Sequence, residues 1–283
     1  MFYIRHGSDS FSVIDCCLPD DRKNEILDEV ADQRADKGIC RFISTHPDQD
    51  HMSGLVSYDD RFGIANFYVV ENNATKDRET EDFKRYKRLR DDATKAFHMK
   101  RGCARKWLNK ADDMRDSAGI TIRWPIPTNE HFRDALKQAE GGGSPNNISP
   151  IIRYSLMDGA SVMWMGDLET DFMEKIKGDI TPEASHVLFA PHHGRKSGRV
   201  PEDWLKKINP TIIVVGEAPS SDLTYYDGWA TITQNSAGDI VLECLSGKTH
   251  VFVSKSTYSV DFLQKDQSIG NRHGCHYIGT FYT

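Results

Sequence analysis

The stretch that decides how this sequence is interpreted is Ser44-Thr-His-Pro-Asp-Gln-Asp-His-Met-Ser-Gly54, at the end of an apolar run typical of a β-strand. Four potential metal ligands lie within six residues of it: His46, Asp48, Asp50 and His51. Two carboxylates and two imidazoles this close would repel one another or lose solvation energy without a cation among them. An extended run over 46–50 puts every second side chain on one side, and a turn then brings in His51. The stretch therefore predicts a metal site; the alternative is a polar turn with an aspartate N-cap.

Two later strings place further ligand types at the ends of apolar runs. Met163-Trp-Met-Gly-Asp167 ends in a carboxylate, in a usual position for a bridging ligand and also for a helix N-cap. Leu188-Phe-Ala-Pro-His192-His193 runs into paired histidines. The continuation, Gly194-Arg-Lys-Ser-Gly198, carries cationic side chains and backbone N–H groups that suit a phosphate. Together these strings predict a metal site with a phosphate-binding loop beside it.

The rest of the sequence alternates predicted strands and helices. Short apolar runs between polar turns indicate strands over 11–15, 41–45, 67–70, 120–124, 151–156, 161–165, 186–189, 211–215, 239–245 and 250–254. Helical spacing indicates helices over 20–37, 170–177 and 201–208. The runs at 161–165 and 211–215 are apolar on both faces, so helices should cover their sheet. This pattern favours an α/β fold in layers, with one domain over residues 1–283.

One segment differs from the others in charge. Residues 76–110 hold thirteen Lys or Arg against six Asp or Glu, a net charge of +7, whereas the whole chain carries −6. Apolar residues within it recur at spacings of three, four and seven, which predicts a basic helical insertion at 75–117. With Tyr86, Phe97 and Trp107 nearby, the insertion could follow a nucleic-acid backbone. The alternative is a solvated helical hairpin whose aromatic residues pack on the body of the protein.

Composition limits the class of protein. The 283 residues are 38% hydrophobic and 28% charged, which excludes a disordered chain, a fibrous repeat and a minimal disulfide scaffold. No apolar run approaches the ~20 residues of a membrane helix, and the N-terminus lacks the features of a signal peptide. The six cysteines form no C-x-x-C pair and favour reduced thiols. We expect a cytoplasmic protein with no membrane partner.

The order of these motifs resembles the metallo-β-lactamase fold, and more narrowly the hydrolase domain of ComEC-type competence proteins and their free-standing relatives. The likeness covers roughly residues 1–70 and 144–254. It is carried by Asp15-Cys16, His46-Pro-Asp-Gln-Asp-His51, Asn146-Asn-Ile-Ser149, Gly166-Asp-Leu-Glu169 and Pro191-His-His-Gly194. The resemblance implies a four-layer αβ/βα sandwich, here with a helical insertion, and a two-metal site at one edge.

The resemblance also implies a ligand set. His46 and Asp48 would hold one ion, Asp50 and His51 the other, Asp167 would bridge them, and His192 would complete the set, with His193 as a nearby acid or alternative ligand. Relatives usually carry a further histidine where this chain has Asn146 and Asn147. Water or an amide oxygen would then complete the first position, and occupancy by a single metal is the alternative. Three carboxylates with three histidines make a hard site, so the expected cofactors are two divalent ions, Zn²⁺ or Mn²⁺.

Such a centre predicts a hydrolase of ester bonds. Two cations roughly 3.5–4 Å apart can clamp the attacking and leaving oxygens of a displacement, and water bound to them has a pKa of about 7. We expect a phosphodiesterase or nuclease that uses this activated water, with a nucleic acid or nucleotide as its substrate. Its expected catalytic residues are Asp50, His193 and Lys196, and its expected substrate-binding residues are Asn147, Lys196 and Ser197.

Two alternative functions stay open at this point. One is a hydrolase of a small phosphodiester, such as a cyclic nucleotide, with the segment 75–117 as a lid over its pocket. The other is a non-catalytic module that binds a partner protein and in which the metal is structural.

Overall fold

The computed structural model describes residues 1–219 and 221–283, which form two compact units. The first unit comprises Met1–Ala118 and Trp124–Pro150, and the second comprises Gly119–Arg123 and Ile151–Thr283. A single domain over residues 1–283 stays a prediction.

A five-stranded sheet runs through the first unit. Its strands are β1 (Phe2–Arg5), β2 (Ser10–Ile14), β4 (Ile39–Ile43), β5 (Phe67–Val69) and β6 (Ala96–His98). A short sixth strand of this unit, β3 (Cys16–Cys17), is not one of the five. The sheet order is β1-β2-β4-β5-β6, antiparallel between β1 and β2 and parallel elsewhere. Ile14 pairs with Ile43, so the chain leaves β2 and β4 at the same edge of the sheet.

Five helices accompany this sheet: α1 (Lys23–Arg34), α2 (Gln49–Met52), α3 (Leu55–Phe62), α4 (Glu81–Asp91) and α5 (Glu130–Glu140). The buried faces of α1 and α4 pack with the sheet in one apolar cluster, which includes Phe11, Val13, Leu27, Val30, Phe67, Phe83 and Tyr86. Burying a side chain of this size contributes about 1.5–3 kcal/mol, so the cluster contributes substantially to the stability of this unit.

His6 is a buried histidine in the turn between β1 and β2. It is 3% exposed, and its Nε2 lies 3.0 Å from Oγ of Ser12. Burial, and then the positive charges of Arg41 and Lys37, lower the pKa of His6 from 6.5 to about 3. The unfolded chain therefore binds a proton at this residue below about pH 6.5, whereas the folded chain binds it only near pH 3. The folded state consequently loses stability as the pH falls through this window.

We expect His6→Gln to reduce the pH dependence of stability. In the parent protein this histidine should lower the free energy of unfolding by up to about 1.4 kcal/mol for each pH unit between pH 6 and pH 4. Glutamine does not titrate, so the variant should show a shallower slope. Guanidinium unfolding at pH 4, 5, 6 and 7 measures both slopes, with the exposed His98→Gln as control. Equal slopes for the parent and His6→Gln would contradict the assignment.

Two sheets build the second unit. The six-stranded sheet contains β7 (Ile120–Trp124), β8 (Ile151–Ser155), β9 (Ser161–Trp164), β10 (Val187–Phe189), β11 (Ile212–Val215) and β12 (Thr231–Thr233), in the order β12-β11-β10-β9-β8-β7. Strands β9 to β12 are parallel, so the chain leaves β9 and β10 at one edge. An antiparallel sheet follows with β13 (Ile240–Leu245), β14 (Lys248–Val253) and β15 (His276–Tyr282).

The helices of the second unit are α6 (Thr170–Ile176), α7 (Glu202–Ile208) and α8 (Gln234–Ala237). Every residue of β9 and β11 is buried, as expected for strands that are apolar on both faces. Trp204 in α7 is fully buried as well. The helix ends where Asn209 adopts a left-handed φ of 44°, a conformation that asparagine tolerates.

The helical segment predicted over 75–117 is mostly not helical. Only α4 within it is an α-helix, and β6 is an edge strand of the sheet of the first unit. The helix ends because Asp92 forms a local turn in which its Oδ1 accepts hydrogen bonds from the N–H and hydroxyl of Thr94. Phe97 then packs on Tyr68 of the neighbouring strand, with ring centroids 5.1 Å apart. The apolar spacing in this segment therefore reflects strand and loop packing as well as one helix face.

The mixed α/β class is confirmed, with parallel and antiparallel strands accompanied by helices in both units. The six described cysteines are all free thiols, as expected. Among the described residues, no helix combines the length and the hydropathy that crossing a bilayer requires.

Candidate metal centre

The ligand string of the first unit begins where the chain leaves β4. His46 is 1% exposed. Asp48 is the N-cap of α2, and its Oδ1 accepts a hydrogen bond from the backbone N–H of Gln49 at 3.1 Å. Asp50 and His51 lie within this short helix, Asp50 exposed and His51 buried. The extended run predicted over 46–50 is therefore wrong beyond Asp48, because the cap starts a helix there.

The two imidazoles of the string lie side by side, with ring centroids 4.2 Å apart. Nδ1 of His46 is 3.0 Å from Oγ1 of Thr45 and 3.2 Å from Oγ of Ser149. Hydrogen bonds at Nδ1 fix the orientation of a ring and favour Nε2 as the nitrogen that binds a metal. His46 is thus held as metal-binding histidines usually are.

Asp15 orients the second histidine, a role that the sequence interpretation did not give it. It lies directly after β2 with a left-handed φ of 56°. Its Oδ2 is 2.8 Å from Nδ1 of His51, and its two oxygens accept hydrogen bonds from the N–H and hydroxyl of Thr45 at 2.7 and 2.6 Å. A buried carboxylate at Nδ1 selects the tautomer and makes Nε2 more basic. The signal in the sequence was a carboxylate directly after a buried strand.

The helix α2 also brings a carboxylate beside His51. Asp50 and His51 each offer one ligand atom, and these two atoms lie within 4.8 Å of each other. Since Asp50 is exposed and His51 is fixed by Asp15, the first unit presents a carboxylate–imidazole pair of the kind that divalent ions bind.

The second unit places its own candidates after β9 and β10. Asp167 is 3% exposed and follows Gly166, whose φ is 51°. His192 and His193 follow β10 with left-handed φ values of 50° and 60°. Such backbone is unusual for residues with side chains and is found most often at functional sites. The N–H of His192 donates to the carbonyl of Gly166 at 3.0 Å, which ties the two loops together.

Both histidines approach the same carboxylate. Nε2 of His192 and Nε2 of His193 lie 3.9 and 3.7 Å from Oδ2 of Asp167. These distances are too long for hydrogen bonds but close to the roughly 3.4 Å between two ligands of a tetrahedral ion with bonds of about 2.1 Å. Burial lowers the pKa of His192, although the carboxylate of Asp167 opposes the shift. His192 is therefore mainly in the neutral form that binds metals.

The loop after the histidines combines an orienting hydroxyl with exposed cations. Oγ of Ser197 lies 2.9 Å from Nδ1 of His192, so this contact fixes the orientation of the ring and leaves Nε2 on the side of Asp167. Arg195 and Lys196 are exposed, and the backbone N–H of Lys196 donates to Oδ2 of Asp222 at 3.2 Å. Substrate binding by Lys196 and Ser197 stays a prediction.

The asparagine string forms one turn of 3₁₀ helix, Asn146–Ile148, before β8. Asn146 is buried and Asn147 is half-buried. Ser149, the residue that ends this turn, is the one whose hydroxyl contacts His46. The substrate-binding role of Asn147 stays a prediction.

The basic segment offers less to a nucleic acid than its composition suggests. Tyr86 is fully buried and is not available to stack on a base. Phe97 and Trp107 are half-buried, with the guanidinium groups of Arg105 and Arg115 over their rings at 4.8 and 5.0 Å. At least six of the thirteen basic side chains form ion pairs with carboxylates: Lys76, Lys84, Arg85, Lys87, Arg90 and Lys106.

The residues present fit a divalent cation. Each unit contributes a carboxylate and an imidazole whose ligand atoms lie within 4.8 Å of each other: Asp50 with His51, and Asp167 with His193. Oxygen and imidazole ligands of this kind suit Zn²⁺ and Mn²⁺. No protein-family model and no curated protein matches the chain.

Proposed function

We propose that this chain is a metal-dependent hydrolase of phosphodiester bonds. The observation that carries the proposal is the carboxylate–histidine pair in each unit, Asp50 with His51 and Asp167 with His193. In the proposal, residues of these pairs bind divalent metal, Zn²⁺ or Mn²⁺. The hydrogen bond that fixes the ring of His51 supports it, because metal-binding histidines are typically held at their second nitrogen.

The proposal includes the four-layer αβ/βα sandwich that the resemblance to metallo-β-lactamases implies. Its support is the position of the ligands relative to the strands. In the first unit the string follows the carboxyl end of β4, and in the second unit Asp167 and His192 follow the carboxyl ends of β9 and β10. Ligands of open α/β sheets bind beyond the carboxyl ends of the strands.

The reaction divides between the cation and the side chains of this chain. A bound divalent cation supplies an activated water at neutral pH and stabilises the charge that develops on the phosphate. Asp50, which is exposed, orients the attacking water and accepts its proton. Asp15 keeps His51 in position while the charge on the substrate changes.

The two adjacent histidines take different roles in the proposal. His193, whose Nε2 is the nearer to Asp167, is the ligand, and His192 in its neutral form donates a hydrogen bond to the leaving oxygen, which takes its proton from water. This assignment reverses the one expected from the sequence. His193→Asn should then weaken Mn²⁺ binding, whereas His192→Asn should leave binding unchanged and reduce kcat.

Phosphate recognition is assigned to the loop that follows these histidines. Arg195 and Lys196 are exposed there, directly after the left-handed histidines. Two cations next to a metal centre suit the non-bridging oxygens of a phosphodiester, whereas the hydrolysis of an amide has no comparable use for them.

A nucleic acid is the first candidate substrate, and a small phosphodiester is the second. The net charge of the segment 76–110 favours a nucleic acid, while the burial of Tyr86 and the ion pairs of that segment favour a smaller substrate. The test is a panel of single-stranded DNA, RNA, cyclic nucleotides and cyclic dinucleotides with added Mn²⁺ or Zn²⁺. Cleavage of one class supports the proposal and selects the substrate, and no cleavage of any class with either metal would contradict it.

Asp15→Asn should weaken metal binding without unfolding the protein. Asparagine adopts left-handed backbone as readily as aspartate, but it removes the charge that holds His51. Loss of such a partner typically costs 10–100-fold in metal affinity, and we expect a loss in that range. A competition titration with a metallochromic chelator measures it. Asp158→Asn is the matched control, because Asp158 is an exposed aspartate with a φ of 55°. An unchanged Kd for Asp15→Asn would contradict its orienting role.

A further inference from the structure

Asp48, expected from the sequence to be a metal ligand, has another partner in the first unit. Its Oδ1 lies 2.7 Å from Nζ of Lys76, and the same oxygen accepts the capping hydrogen bond from Gln49. The side chain of Lys76 is 24% exposed. The carboxylate that a first metal ion would use is therefore already engaged by an ammonium and a backbone N–H.

The position of Lys76 is set by its neighbour in the chain. Thr75 donates its backbone N–H to the carbonyl of Ala139 at 3.1 Å and its hydroxyl to the carbonyl of Glu140 at 2.8 Å. These bonds anchor the segment before α4 to the last turn of α5. Lys76 thus reaches Asp48 from a backbone that is fixed independently of the ion pair.

An ammonium at this place opposes a metal ion in two ways. It occupies the oxygen of Asp48, and its own positive charge repels a second cation a few ångströms away. A metal ion that displaced Lys76 from Asp48 would still face this charge, because the backbone of Thr75 holds the lysine nearby. By contrast, the hydroxyl groups of Thr45 and Ser149 that contact His46 are uncharged, so they do not repel a metal ion.

We propose that the ion pair of Lys76 and Asp48 takes the place of a second metal ion, so that the centre holds one divalent cation per chain. Lys76 then supplies the second positive charge of the site. Of the three donors of its ammonium, Asp48 accepts one, and the others are directed to an oxygen of the substrate phosphate. This inference rests on the proposed function and specifies the metal stoichiometry and a substrate-binding residue of that same site.

The experiment is an EPR titration of free Mn²⁺ against the full-length parent protein and Lys76→Met, which keeps the length of the side chain and removes the charge. We expect one equivalent of bound Mn²⁺ per parent chain and a second, weaker equivalent in Lys76→Met. We also expect Lys76→Met to raise KM for a phosphodiester about tenfold. Lys84→Met is the matched control, because Lys84 forms a 2.7 Å ion pair with Glu81, which is not a candidate ligand.

A second variant tests Asp48 itself. Asparagine is as good an N-cap as aspartate, so Asp48→Asn should fold and should bind its one equivalent of Mn²⁺ with unchanged affinity. Each of four results would overturn the inference. They are two equivalents of bound Mn²⁺ in the parent, only one equivalent in Lys76→Met, a second equivalent in Lys84→Met, and a tenfold weaker Mn²⁺ site in Asp48→Asn. If the parent bound no Mn²⁺, the proposed function itself would fail, and this result is distinct from the others.

Discussion

Replacing Asp167 by asparagine is expected to abolish metal binding and to reduce kcat/KM for a phosphodiester by about 10³-fold or more, with the fold intact. The carboxylate is buried and lies within 4 Å of Nε2 of both His192 and His193, so its charge is the main attraction for a cation in the second unit. A bound metal contributes several kcal/mol to stabilising the transition state, and about 4 kcal/mol corresponds to 10³-fold in rate.

The measurement is hydrolysis of bis(p-nitrophenyl) phosphate with added Mn²⁺, together with circular dichroism of the same samples. Asp171→Asn, on an exposed residue in the first turn of α6, serves as the control and should retain activity. Retained activity in Asp167→Asn would contradict the catalytic account. An Asp167→Asn protein that is unfolded in the absence of metal would support the alternative of a structural metal in a non-catalytic module.

Gly119→Ala is expected to destabilise the second unit by about 3–4 kcal/mol. Gly119 has a φ of 73°, and a Cβ at this position would overlap the carbonyl oxygen of Ser155. That oxygen belongs to the backbone at the end of β8, and the N–H of the same residue donates to the carbonyl of Gly119 at 3.0 Å. Neither group can move without disturbing the pairing, so the steric overlap adds to the 1–2 kcal/mol cost of left-handed backbone.

The matched control for this prediction is Gly247→Ala. Gly247 has the same φ of 73° and lies in the same unit, but a Cβ there would meet no atom within 4 Å. Gly247→Ala should therefore reduce the free energy of unfolding by only about 1–2 kcal/mol, which is the cost of left-handed backbone for alanine. Guanidinium unfolding of both variants measures the difference. Equal losses of stability would show that the contact with Ser155 relaxes at no cost.

Part of the candidate site was predictable because its ligands are close in sequence. His46, Asp50 and His51 lie within six residues, and chemistry alone marks them as a cluster. Asp15 was not predictable in the same way, since its contact with His51 spans 36 positions and depends on β2 and β4 being parallel neighbours. The partner of Asp48 was hidden for the same reason. Lys76 is one of thirteen basic residues in the segment 76–110, and the composition of that segment does not show which carboxylate each of them contacts.

The fold shows a similar division between local and tertiary signals. Buried strands such as β9 and β11 were predictable from their continuous apolar runs. The helix α5 was missed although its signals are local: Asn129 caps it by accepting from the N–H of Phe132, and Phe132, Ala135 and Ala139 form its buried face. The prediction that the helix continues beyond Asp91 was wrong, because β6 pairs with β5 in the sheet although its residues have helical spacing.

The most direct test of the account is the anomalous difference map of a crystal of this protein grown or soaked with Mn²⁺. We predict a peak about 2.2 Å from side-chain atoms of Asp167 and His193, because the account requires this carboxylate and this imidazole to bind the ion. The absence of a peak at these residues would contradict the central claim.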